Sequence, residues 1–257
     1  MSCARVRSSM TINEYIDMAQ AERIALICAL TADSVSHEDF FISALNREDD
    51  ALPQWYLIKA LGCRKSLTSI PLILRFCQAP DVDFGSTSLH AICAWTLGQI
   101  GDASFEPTSA LIRAKDLSTR KCIVDALGEI GDPRGIEMLG FALEHDLYPV
   151  KLIAGMSLAK IGDKAVPVIG RVLHNADRKT QIIALDAISK INSDRSLTIL
   201  DTVLQEGSVE DKKIILRTRQ PWNRTLMSRI QRLANDSDTE LSALARFVLR
   251  EEVASSS

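Results

Sequence analysis

Aromatic residues make up only 5% of the 257-residue chain, and 12 glycines and 8 prolines are few for that length. A core this poor in rings is closed by aliphatic and small side chains, which suits close-packed helices better than a sheet sandwich. Net charge is almost absent: 30 Lys and Arg against 33 Asp and Glu leave −3. That balance argues against a polybasic protein of nucleic acid or of membrane surfaces. No stretch reaches the ~18 to 20 uninterrupted apolar residues of a membrane span. The opening MSCARVRSSM has two arginines but no apolar segment behind them, so it does not read as a secretory leader, although an organellar address stays open. None of the 6 cysteines forms a Cys-x-x-Cys pair, and they are expected as small buried hydrophobes in a reducing compartment. The histidines at 37, 90, 145 and 174 lack metal-ligand spacing, and no Gly-x-x-x-x-Gly-Lys loop occurs, so neither a metal nor a nucleotide is expected. What remains is a globular composition, 46% apolar and 25% charged, and the expected location is the cytoplasm.

The chain repeats itself. Residues 89–102, 119–132, 150–163 and 180–194 align, with Leu97, Leu127, Leu158 and Ile188 spaced 30, 31 and 30 residues apart. A looser unit precedes them around Leu61, and a degenerate one follows around Lys213–Trp222. Each unit predicts two helices. In residues 119–143, Cys122, Ile123, Ala126, Leu127 and Ile130 fall on one helical face. Gly131 then stops the helix, Asp132 is placed to cap the next, and Pro133 occupies its first position. The pairs Gly101-Asp102, Gly162-Asp163 and Ser193-Asp194 repeat that grammar.

Two helices cannot enclose a core, so each hairpin must bury its apolar face on its neighbours. The predicted fold is therefore all-α, an α-solenoid of about five to six hairpins with capping helices. The column Cys93, Ile123, Ala154, Ala184 supplies mostly short side chains where helices cross closely. Residues 11–30 predict one amphipathic helix started by Thr11, Ser36 begins a second, and residues 239–252 predict the last. The expected domain is a single solenoid over 11–252, with disordered ends at 1–10 and 253–257. Residues 78–88 predict a longer inter-repeat loop.

The segment TRKCIVDALGEIGDPRGIEMLGFAL (119–143) resembles the phycobilisome-lyase HEAT-like repeat, most of all in ALGEIGD (126–132) and TLGQIGD (96–102). The likeness extends over roughly residues 54–205. It implies a HEAT-like fold and a phycobilin lyase subunit or a chaperone-like factor for phycobiliproteins. If the chain is enzymatic, it would be a bilin lyase subunit. The implied ligand is a linear tetrapyrrole held transiently, with no permanently bound cofactor. The implied partner is another protein, either a phycobiliprotein subunit or a second HEAT-like subunit. The Asn-His-Cys signature of isomerising bilin lyases has no match. Only one His-Glu dipeptide, His37-Glu38, is present and it lies outside the repeats, which speaks against the HEAT-repeat hydroxylase of deoxyhypusine.

The second helices of stacked hairpins line a concave groove. Their outward positions align as Arg75, Arg113, Glu144, His174 and Gln205, beside a second ladder of Phe141, Arg171 and Thr202. Arg75, Arg113 and Arg171 are the candidate contacts for carboxylates, because an arginine fork pairs with a carboxylate in bidentate geometry. With Phe141, Glu144 and His174 they form the candidate ligand set. The first-helix column His90, Arg120, Lys151, Gln181 reads instead as a brace, beside Asp116 and Asp177, which are placed to cap helices. Tyr148, Arg217, Arg219 and Trp222 are the candidate partner contacts, since aromatics and arginines concentrate binding energy at interfaces. Cys63 and Cys122 look the least buried of the cysteines, but no histidine stands at helical spacing from either, so no catalytic residue is assigned. Two readings stay open: a protein that holds a bilin and a phycobiliprotein, and a non-catalytic protein-binding adaptor.

Overall fold

Thr11 opens the first helix of the computed structural model, which describes residues 10–217 and 224–255. Its hydroxyl accepts the Glu14 N–H at 3.3 Å, and the Glu14 carboxylate accepts the Thr11 N–H at 2.7 Å, a reciprocal cap. The expected single helix over 11–30 is in fact two, α1 (Ile12–Ile16) and α2 (Gln20–Ala32). A second start signal separates them: the Glu22 carboxylate accepts the Ala19 N–H at 3.2 Å. The helix expected from Ser36 begins at Glu38.

The described residues cluster in two compact units that meet in sequence between Asp132 and Pro133. Unit 1 continues with α3 (Glu38–Leu45), α4 (Ala51–Cys63), α5 (Ile70–Cys77), α6 (Leu89–Ile100), α7 (Asp102–Ser109) and α8 (Leu117–Ile130). Within it, α2, α4, α6 and α8 lie side by side as one layer, and α3, α5 and α7 pack behind them. Unit 2 holds α9 (Ile136–His145), α10 (Tyr148–Ile161), α11 (Val166–Asn175), α12 (Arg178–Ser189), α13 (Asp194–Glu206), α14 (Val209–Arg217), α15 (Arg224–Leu233) and α16 (Thr239–Ser255). Here α10, α12, α14 and α16 form one layer, and α9, α11, α13 and α15 the other. The division falls inside one sequence repeat, between α8 and α9. The last helix runs on to Ser255, past the expected end at 252. Among the described residues everything regular is helical except one isolated bridge, Asp83 with Ser88, in the loop before α6.

The fold is thus all-α and of the α-solenoid class, two layers of helical hairpins in each unit. The repeat anchors are its core: Leu61, Leu97, Leu158 and Ile188 are 0% exposed and Leu127 1%. The crossing column Cys93, Ile123, Ala154, Ala184 is likewise fully buried. Close approach shows most clearly at Gly98 on α6. A Cβ there would stand 2.6 Å from the Glu129 Cβ and 2.9 Å from its carbonyl carbon on α8, so any side chain would push the two helices apart.

The helix stops are where the glycines predict them. Gly131 ends α8 at φ 70°, ψ 15°, its N–H bonded to the Leu127 carbonyl at 3.1 Å, a left-handed turn that side chains disfavour. The starts differ from expectation. Pro133–Gly135 and Gly162–Ala165 form 3₁₀ turns, and α9 and α11 begin only at Ile136 and Val166. A 3₁₀ turn gives the chain a tighter first turn before α9 and α11.

Candidate functional site

The first-helix column braces the inter-repeat turns. The His90 ring meets the Ala79 carbonyl at 2.9 Å. Arg120 Nη1 donates to the Ala114 and Lys115 carbonyls at 2.9 Å each. Lys151 Nζ donates to the Glu144 carbonyl at 2.8 Å and to Thr180 Oγ1 at 2.7 Å. Each side chain reaches back to satisfy carbonyls that the preceding turn leaves without helical partners. Asp116 and Asp177 cap α8 and α12 as expected. The Asp116 carboxylate accepts from Thr119 N–H at 2.6 Å, and Asp177 from Lys179 and Thr180 N–H at 3.0 and 3.2 Å. The Thr180 hydroxyl and N–H, with Lys151 nearby, pull the Asp177 carboxyl down from 3.8 to about 2. His90, Arg120 and Lys151 belong to the scaffold.

The arginine ladder divides between the units. In unit 1, Arg75 is exposed near the end of α5, and its guanidinium donates to the neutral Asn46 Oδ1 at 3.3 Å. Arg113 is exposed but not helical. α7 ends at Ser109 and Arg113 lies in the turn beyond it, which corrects its assignment to a second helix. Pro107 sits inside this helix, and its missing N–H weakens the last turn. In unit 2, Phe141 and Glu144 lie on α9, and Arg171 and His174 on the adjacent α11. Phe141 is 57% exposed and stacks on His145 with ring centroids 4.6 Å apart. Arg171 Nη2 donates to Glu137 Oε2 at 2.8 Å. That bond, with the charges of Glu137 and Glu144, raises the guanidinium above its ordinary range. Arg171 thus already holds a carboxylate of its own chain, whereas Arg75 holds only an amide.

The partner candidates separate similarly. Arg217 ends α14 and donates to the Glu240 carboxylate on α16. Arg219 and Trp222 lie outside the described residues. Tyr148, the remaining candidate, is helical. It is the first residue of α10, with Pro149 behind it in the first turn, and is 55% exposed.

Tyr148 marks a feature that the ladders do not contain. A cleft of about 630 Å³ opens on the first-helix layer of unit 2, between α10 and α12, with Ile214 of α14 at its side. Its walls are Tyr148, Leu152 and Met156 on one helix and Ile182, Asp186 and Lys190 on the other, with Lys179 at the start of α12. Met156 is 52% exposed and Ile182 40%. The floor is deep because Gly155 lies against Ile183: a Cβ on the glycine would stand 2.7 Å from Ile183 Cγ2. Reading each helix as one buried stripe hides these residues. A second apolar stripe on a first helix, Tyr148-Leu152-Met156 at four-residue spacing, is the signal that could have found them.

The cysteines also depart from expectation. Cys63 is exposed, but Cys122 is only 3% exposed, and Cys28 is the other exposed thiol. Cys77, Cys93 and Cys122 gather from α5, α6 and α8 into one buried cluster, invisible in the sequence because they stand 16 to 45 positions apart. Hydrogen bonds from the Cys122 and Cys93 thiols hold Cys77 below the ordinary thiol range. Burial pushes Cys93 up, and the bond to Cys77, then burial, pushes Cys122 up. Among the described residues no group of three or more His, Cys, Asp or Glu side chains is arranged to hold a metal ion. No described helix is long and apolar enough to cross a membrane.

This architecture defines the class first: an all-α protein of repeated helical hairpins with an open apolar cleft on one layer. Its repeat can be named more closely. Residues 123–145 match the family model of the PBS lyase HEAT-like repeat, which falls on the segment whose resemblance is plainest in the sequence. No curated protein matches the chain. Among solved structures it is similar to a chain of the complex of CpcE and CpcF of phycocyanin lyase from Nostoc sp. PCC7120, at 17% identity, covering 96% of this chain and 97% of that one, with a TM-score of 0.42. It is also similar to human deoxyhypusine hydroxylase in complex with glycerol, at 16% identity over 91% of each chain, TM-score 0.36. An engineered protein matches at 18% identity over 84% of this chain and 96% of that one, TM-score 0.37. Likenesses this distant do not separate a lyase subunit from a hydroxylase or a designed protein.

Proposed function

We propose that the chain is a HEAT-like repeat factor of the phycobilin-lyase type, which holds a phycobiliprotein, a bilin or both while the two are joined. The observation that carries this reading is the PBS lyase HEAT-like repeat at residues 123–145. The open surfaces of the hairpin layers support it. In such a reaction the acceptor protein brings the thiol nucleophile. The repeat protein supplies orientation and shelter from water, and holding two reactants in register is itself a large rate effect. A bilin propionate would be met by Arg75 and Arg113 within unit 1, or by Arg171 within unit 2. Arg75 is the strongest of these, since its present partner is uncharged, while Arg171 must exchange Glu137 for the ligand.

The test mixes the purified chain with phycocyanobilin, with and without an apo-phycobiliprotein, and follows the absorption spectrum and co-elution. A changed bilin spectrum, weakened most in Arg75→Ala and least in Arg171→Ala, is expected. An unchanged spectrum together with no co-elution of the phycobiliprotein overturns the reading. The adaptor reading is favoured by one observation of its own: within unit 2 the cleft between α10 and α12 lies on the opposite helix layer from Arg171, so a protein could be held with no bilin present.

A further inference from the structure

We infer that the cleft of unit 2 is a docking site for one amphipathic α-helix of a partner protein, a helix with an apolar stripe flanked by carboxylates three turns apart. The inference rests on the reading of the chain as a protein-holding factor, but not on the bilin.

The cleft runs between two neighbouring helices of one layer, so its long direction follows a helix axis. Tyr148, Leu152 and Met156 stand four residues apart along α10 and build one apolar ridge. Ile182 and the edge of Ile214 face it. Exposed tyrosine and methionine beside aliphatic side chains is the composition of an interface core, and an apolar trough of this form is what an amphipathic helix lays its face into.

The charges are placed at the ends. Lys179 is in the first turn of α12 and Lys190 caps its last, and both are exposed and line the cleft. Eleven residues at 1.5 Å each set them about 16 Å apart. Eleven residues are also almost three whole helical turns, so a partner helix lying along α12 presents positions i and i+11 on one face, both toward the lysines. The one acidic side chain in the wall, Asp186, is already bonded to Lys190 at 2.5 Å. The charge complement to this trough is a carboxylate at each end of an apolar stripe, the one at Lys190 displacing Asp186 as a ligand at Arg171 would displace Glu137. A compact dicarboxylate would reach one lysine and leave the other.

The experiment uses the full chain and two synthetic fluorescein-labelled helical peptides. Both carry a leucine stripe. One has Glu at i and i+11, the other Lys at the same positions. Fluorescence anisotropy should show the Glu peptide binding the unaltered chain. Met156→Glu and the double variant Lys179→Glu, Lys190→Glu should each weaken it at least ~10-fold, a factor equal to about 1.4 kcal/mol. The double variant should gain the Lys peptide. All three residues are on the surface, so circular dichroism should be unchanged. Equal binding of both peptides, or binding indifferent to these substitutions, overturns the proposal. So does a dimer in sedimentation that Met156→Glu abolishes, which would make the occupant a second copy. A phycocyanobilin spectral shift lost in Met156→Glu, with no peptide bound, would make the cleft a bilin site and overturn it too. Peptide binding with neither phycobiliprotein capture nor a change in the phycocyanobilin spectrum leaves the inference standing and the lyase-type reading fallen. Phycobiliprotein capture that is unchanged in Met156→Glu does the reverse.

Discussion

The two units are made from the same repeat but spend their aromatic residues in opposite ways. In unit 1 every described ring is buried or half-buried. Tyr15 and Phe41 are completely buried, and Tyr15, Phe40 and Phe41 stack edge to face at 5.6 and 6.2 Å between centroids. In unit 2 the described rings, Phe141, Tyr148 and Phe247, are 57%, 55% and 60% exposed. Its core is closed by aliphatics such as Val150, Leu158, Ile169, Val172 and Leu200. A hairpin repeat needs a fixed set of buried anchors, and small aliphatic residues satisfy it. Any ring beyond that set is free to serve the surface. Unit 1 uses its rings for cohesion and unit 2 offers them for contact.

That contrast can be broken most directly at one core anchor and one surface residue. Leu97→Ala in unit 1 should cost ~2 to 5 kcal/mol in urea unfolding, the range for emptying a buried leucine site. Met156→Ala in unit 2 should change stability by less than ~0.5 kcal/mol, as for surface positions away from special features. Equal losses would mean that the cleft is part of the core. A smaller effect sharpens the comparison at the rings themselves. The Tyr15 hydroxyl donates to Glu48 Oε2 at 2.7 Å, and Glu48 is 4% exposed. Burial, then this bond, raises the phenol far above its ordinary range, so it remains a donor throughout accessible pH. Tyr15→Phe deprives a buried carboxylate of a donor and should cost ~1 to 3 kcal/mol, whereas Phe247→Ala should stay within ~0.5 kcal/mol. Thermal unfolding of both variants checks this.

The smallest effect concerns a device in which the units should behave alike. Asp116 in unit 1 and Asp177 in unit 2 cap equivalent helices, and threonine N–H and hydroxyl groups lower both carboxyls. A carboxyl lower in the folded than in the unfolded chain stabilises the fold above its unfolded pKa and loses that effect as pH falls through its folded one. For Asp177 the window runs from about 3.8 down to about 2. The melting temperature of the unaltered chain should therefore fall toward that of Asp177→Ala across this range, and Asp116→Ala should show the same sign. A gap between variant and parent that widens on acidification would contradict the capping role.

Much of this was readable along the chain. The 30-residue spacing of Leu97, Leu127, Leu158 and Ile188 gives the hairpins, because a core residue recurs wherever the same packing recurs. The stops at Gly101, Gly131 and Gly162 are local, and so are the caps at Asp116 and Asp177. Arg113 was misplaced because one internal proline shortened α7. The thiol cluster was hidden because its members come from three helices. The cleft was hidden because an apolar residue on a helix reads as buried until the neighbouring helices are seen to leave it uncovered.

Sequence alone determined what repeats: helix periods, turn residues and the anchors that must be shielded from water, all set within about thirty residues. Tertiary structure decided which side chains are left over once shielding is complete. Gly155 brings α10 against α12 and leaves Met156 and Ile182 standing at the edges of a trough, and Glu137 reaches Arg171 before any ligand can. Both outcomes depend on distances between helices far apart in the chain, and no local pattern encodes them.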